Sequence, residues 1–186
     1  SSRTGSHNVS PYSIALTMKT VFSILLFLCH SLLAGTPTEA LKAFQQAVKD
    51  QKFEDAWKQT VQFDGASPEV TQYLKSRIER TLKLSAEGWG FDILEEKISG
   101  DCAAIVTNEI KKAGQTALNI DPVFMMKQSG EWRVMPGITK WDLTKHIAAE
   151  KQPDSMKLDQ TTQATFKELD TWVDERKKEL RKKSKQ

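Results

Sequence analysis

Between Thr36 and Ala86 the apolar residues recur at helical spacing. Thr36-Pro37-Thr38-Glu39 supplies a cap residue, a proline at the first helical position and a glutamate at the third, which is a capping-box start. Leu41, Phe44, Ala47 and Val48 then fall on one face. After Asp50-Gln51-Lys52 a second, short helix brings Phe53, Ala56 and Trp57 together, with Val61 beyond them. Asp64-Gly65-Ala66 breaks the chain, and Ser67-Pro68-Glu69 opens a third helix. Its Val70, Tyr73, Leu74, Ile78 and Leu82 make a continuous apolar stripe.

Gly88-Trp89-Gly90 ends the helical part, and the period changes to two. Phe91 to Ile98 reads as a first strand, closed by Ser99-Gly100-Asp101. Cys102 to Lys111 reads as a second, with Cys102, Ala104, Val106 and Ile110 on one face. Ala113-Gly114-Gln115 turns into a third from Ala117 to Lys127, and Gln128-Ser129-Gly130 is a hairpin signal before a fourth from Glu131 to Met135. Pro122 removes a ladder donor, so its position is expected at an edge or a bulge. Three helices followed by an antiparallel meander predict an α+β fold, not a parallel sheet with crossover helices.

The residues from 138 onward read as a helical extension. Trp141 to Lys151 is compatible with one helix, stopped by Pro153. A longer helix restarts at Asp154 or Ser155, with Phe166, Leu169, Trp172, Val173 and Leu180 on one face. That face is too apolar for a free helix in water and needs a surface: the chain's own sheet, a second copy or another component.

Upstream, residues 18–34 (MKTVFSILLFLCHSLLA) combine a short positive start with a nearly unbroken apolar run and small residues around Gly35, the pattern of an export signal. The run is interrupted by His30 and Ser31 and falls short of the ~20 residues of a membrane span. The mature chain is expected to start between Gly35 and Leu41, and residues 1–17 to lie outside the fold. The alternatives are membrane attachment through an uncleaved signal anchor or through a lipidated Cys29. Leu28, in the place where lipidation wants a small residue, disfavours the second. Without the leader Cys102 is the one cysteine left, so no internal disulfide forms and stability must come from the core. Cys102 is expected to be a small buried residue.

Charge is nearly balanced but unevenly placed. Residues 35–173 hold 18 Lys and Arg against 21 Asp and Glu, while residues 174–186 hold 7 against 3. The basic end, with Arg176, Lys177, Lys178, Arg181, Lys182 and Lys183, could meet an anionic surface, but the interleaved Asp174, Glu175 and Glu179 and the macrodipole favour a solvated helix C-terminus. For an exported chain nucleic acid is not an expected partner. No His, Cys and carboxylate cluster has metal-ligand spacing, no glycine pattern cradles phosphate, and His146 stands alone in the extension. No cofactor is expected. Trp57, Tyr73, Trp89, Asp121 and Phe124 are the candidate pocket-lining residues, although aromatics at helix and strand periods also suit a core. Asp92, Glu109 and Asp121 are the strand carboxylates.

Three phrases carry a family resemblance: FEDAWKQT in the second helix, SGDCAAIVTNEI in the second strand, and FMMKQSGEWRVMPG across the closing hairpin. In order and wording, residues 36–137 resemble the nuclear transport factor 2-like superfamily of α+β cones, which includes ketosteroid isomerases and many small exported domains. The resemblance implies three N-terminal helices packed on a curved four-stranded antiparallel sheet, with the C-terminal helices added. It also implies a Trp132 buried in the core and room for a pocket between helices and sheet. It implies little chemistry, because such folds host enzymes, binding modules and dimerisation scaffolds alike. The expected function is an exported, non-enzymatic binding or scaffold module of the cell envelope or exterior. The alternatives are an isomerase- or dehydratase-type enzyme using the pocket, and a homodimeric structural protein with a partner-binding C-terminal helix.

Overall fold

A computed structural model describes residues 35–111, 118–137, 141–142 and 147–184. The export-like segment, residues 1–17, Cys29 and His146 lie outside the described residues. From Gly35 onward the chain forms one compact unit. It is an α+β structure with a four-stranded antiparallel sheet and a long C-terminal helix.

The first helix, α1 (Pro37–Lys49), starts with the expected capping box. Glu39 N donates to Thr36 Oγ1 at 3.2 Å, and Thr36 N donates to Glu39 Oε2 at 2.7 Å. Helix α2 is Phe53–Lys58, and α3 is Pro68–Ala86, capped by Ser67 Oγ on the Val70 amide. The strands β1 (Gly90–Ser99), β2 (Cys102–Ile110), β3 (Ile120–Gln128) and β4 (Glu131–Val134) lie side by side in chain order.

Burial along β2 departs from simple alternation: every residue from Cys102 to Thr107 is buried. Alternate residues serve two cores. Ala103 and Ile105 pack with Leu41, Phe44, Ile78, Met125 and Trp132, beneath the N-terminal helices. Cys102, Ala104 and Val106 pack with Phe124, Phe166, Leu169 and Val173. The last three belong to α4 (Gln160–Lys183), which runs across the second sheet face and packs chiefly on β2. A near-continuous apolar strand is the expected consequence of covering both faces.

Two expectations for the C-terminal part need correction. A single helix from Trp141 to Lys151 is not what the described residues form: Ala149–Lys151 is a 3-10 turn, as is Asp154–Met156. The long helix begins at Gln160, five residues beyond Ser155, because Asp159 is the residue that caps it, its carboxylate accepting from the Thr162 amide at 3.0 Å. The apolar face of this helix sits on the chain's own sheet. Phe166 is fully buried, stacked on Trp141 (5.5 Å, 5°) and edge-on to Phe124 (6.0 Å, 81°).

Pro122 lies in an inner strand by sheet order, yet β4 pairs only with Met125 to Gln128. Beyond that overlap β3 is locally an edge. Glu109 N donates to Asn119 O, so the alternation leaves Pro122, opposite Val106, on a pair that needs no proline donor.

A bulge in β1 decides which residues meet α4. The register steps between Ile93, opposite Thr107, and Glu95, opposite Val106. Strict alternation would put Glu95 on the face of Phe91 and Ile93. The extra residue, Leu94, turns Glu95 and Lys97 towards the α4 side instead. There Glu95 receives a bidentate pair of bonds from Arg176, each 2.6 Å, and Lys97 reaches Glu168 at 2.9 Å.

Candidate functional site

An open concavity lies where the β3–β4 hairpin meets the segment after α2. It is a cleft of about 700 Å³ lined by Trp57, Lys58, Gln59, Gln62, Asp64, Gln128, Ser129, Glu131 and Arg133. Its wall is built by unusual pairing. Val134 N donates to Gln59 O at 2.8 Å and Val61 N to Val134 O at 2.9 Å, which adds a short parallel bridge to the edge of β4. One step on, the Gln128 side chain replaces a strand: its Oε1 accepts from Gln62 N at 2.9 Å and its Nε2 donates to Gln62 O at 2.6 Å. The Gln62 side chain folds back on the carbonyls of Trp57 and Thr60. Arg133 donates to Lys58 O, a free carbonyl at the end of α2, and to Glu131. A cation at that helix end is favoured by the dipole as well as by the bond.

The cleft is therefore polar, rich in amides and balanced in charge, with one half-buried indole in its wall. Lys75 Nζ lies 5.7 Å from the centre of the Trp57 ring. Ser129 holds a positive φ of 53° ahead of Gly130, which turns the hairpin tip.

The five residues singled out from the sequence fall in different surroundings. Trp57 lines the cleft, while Tyr73 is half-buried against the core beneath α4. Phe124 is wholly inside that core, held by Phe166. Trp89 packs edge-on to Phe91 and donates its indole N–H to Glu109 Oε1 at 2.7 Å. Asp121 is half-buried at the far end of the sheet, opposite Thr107.

Around Glu109 and Asp121 a second polar group forms. Glu109 also accepts from Asn119 Nδ2 and pairs with Lys111 at 3.6 Å. Burial pushes the Asp121 carboxyl above its ordinary range, against the pull of Lys177 at 3.9 Å, and the Glu109 charge adds to the rise. Asp92 is exposed. Cys102 is buried, and desolvation raises its thiol to about 11, so it stays protonated and unreactive at neutral pH. Among the described residues no group of three or more His, Cys, Asp and Glu is arranged to hold a metal ion, and no helix is long and apolar enough to cross a membrane.

The basic end of α4 divides in two. Arg176 and Lys177 turn back to the sheet, on Glu95 and Asp121, whereas Lys178, Arg181, Lys182 and Lys183 are exposed. The Arg176 guanidinium holds the Glu95 carboxyl below its ordinary range by direct hydrogen bonds.

No spacing or motif in the sequence groups Gln59, Gln62, Gln128 and Arg133. Gln128 was visible only as the start of a hairpin turn, and nothing local in Gln59-Thr60-Val61-Gln62 announces a strand-like segment beside β4.

No family model matches the chain, and no curated protein does. Among solved structures the chain is similar to one from Campylobacter jejuni, named as an NTF2-like transpeptidase. The two are 18% identical with a TM-score of 0.44, over 54% of this chain and 98% of that one.

Proposed function

We propose that this chain is an exported, non-enzymatic binding module with a cone-like, nuclear transport factor 2-like fold, and that its ligand occupies the cleft beside Trp57. The observation that supports the reading is the filling of the space between the N-terminal helices and the sheet. Phe44, Phe91, Met125 and Trp132 are all buried there in one apolar cluster, so a ligand is accommodated on the rim. Export rests on the pattern of residues 18–34.

A fragment screen read by amide and indole NMR shifts tests the site. Hits that move Trp57, Gln62 and Gln128 support it. Hits that gather on Asp121, Glu109 and Trp89 favour the isomerase- or dehydratase-type alternative, for which the raised Asp121 carboxyl is the specific observation. Fusing residues 18–40 to a reporter active only after translocation tests export, and an inactive fusion would remove that part of the proposal.

A further inference from the structure

We propose that the cleft takes a neutral saccharide, a ligand of hydroxyl and amide groups with an apolar ring face. This rests on the reading of the cleft as the binding site and adds the chemistry of what it binds. Charge argues first. The lining holds two cations, Lys58 and Arg133, and two carboxylates, Asp64 and Glu131, so it carries no net charge to select an anion or a cation. Arg133 is moreover engaged by Lys58 O and by the Glu131 carboxylate, which offsets its charge towards a phosphate or carboxylate ligand.

A peptide adding itself as a strand is disfavoured by the backbone pairing. Val134 is already bonded on its outer edge to Gln59 and Val61. The Gln128 amide has taken both the N–H and the carbonyl of Gln62, and Thr60 O accepts from Gln62 Nε2 at 3.0 Å. Strand addition needs a free edge, and at this wall the edge is used. A purely apolar ligand finds one indole among polar side chains. What the cleft offers is the half-buried Trp57 ring, which Lys75 Nζ approaches at 5.7 Å, together with the Gln59 amide, the Ser129 hydroxyl and the Asp64 and Glu131 carboxylates, groups able to donate to or accept from a ring hydroxyl. Its volume of about 700 Å³ lies within the range of small-ligand sites.

The test titrates the full chain with cellotriose and with N,N′,N″-triacetylchitotriose, read by shifts of the Trp57 indole and the Gln side-chain amides, with trialanine as the comparison. The expected result is saturable binding of a trisaccharide with shifts confined to the cleft. Trp57→Ala should weaken it about tenfold, as loss of a stacking face does. Because Trp57 also touches the core, the exposed Asp64→Ala supplies a second variant, expected to weaken binding several-fold with an unchanged circular dichroism spectrum. Trialanine binding in the cleft without either sugar overturns the saccharide and leaves the binding site standing. No shift with either sugar at millimolar concentration also overturns it. Saturable sugar binding that moves residues elsewhere overturns both the saccharide and the cleft.

Discussion

Phe166→Ala should cost the fold about 3–5 kcal/mol, the range for removing a buried aromatic ring. The side chain has no exposed surface and sits between the Trp141 ring and the edge of Phe124. Each aromatic pair contributes roughly 0.5–1.5 kcal/mol beyond the area it buries, so the loss should lie in the upper part of that range. The neighbours left behind belong to two sheet strands, α4 and the segment at Trp141, and cannot all collapse inwards together. Against a total stability of about 5–15 kcal/mol, one substitution removes a large share. Deleting everything after Lys140 would also strip Leu169 and Val173 from Ala104, Val106 and Phe124. That chain should have no cooperative transition. Urea unfolding followed by tryptophan fluorescence and by far-ultraviolet circular dichroism measures both. A loss under about 1 kcal/mol for Phe166→Ala, or a sharp transition in the truncated chain, would show that α4 is not part of the core.

Three further outcomes follow from the electrostatics. Glu95 has its folded pKa held below the ordinary value by Arg176, so its contribution is present above the ordinary carboxylate range and disappears as pH falls through the lowered value; Glu95→Gln should flatten that part of the stability profile in denaturant titrations. Asp121 is the opposite case: with the folded pKa raised by burial, ionisation disfavours the fold as pH climbs from the ordinary value through the raised one. Asp121→Asn should therefore be neutral or stabilising at pH 7, with the difference vanishing in acid, and a clear destabilisation at pH 7 would contradict the burial argument. The Cys102 thiol should resist a disulfide reagent at pH 8 in the folded chain and react promptly in urea; rapid labelling without denaturant would mean that α4 lifts from the sheet.

Local patterns in the chain were sufficient for the helices and the strand order. The Thr36 to Glu39 capping box, the Ser67-Pro68 start of α3 and the Ser129-Gly130 hairpin act over a few residues, so neighbouring side chains alone specify them. The change from helical to alternating period at Gly90 was enough for an α+β reading, and the burial of Trp132 followed from the hairpin wording. Which surface α4 covers was open, because an apolar stripe states that a partner is needed without naming it. The run Cys102-Ala103-Ala104-Ile105-Val106 carried a hint, since a strand with one wet face has no use for apolar residues on both.

The candidate site depended on tertiary structure almost entirely. One extra residue at Leu94 reverses the side on which Glu95 and Lys97 point, and a period-two reading cannot contain that step. Arg176 and Lys177 look in sequence like part of a uniform basic end, but the fold sets Glu95 and Asp121 opposite them and leaves the last turn to solvent. The cleft joins residues 57–64 to residues 128–133, and its wall exists because the Gln128 side chain imitates a backbone edge. A side-chain amide has no preference for that role until the two segments are brought together. Helix starts and turns are decided by neighbours along the chain, whereas this site is made by pairs more than sixty residues apart, which only the packing of the whole unit brings into contact.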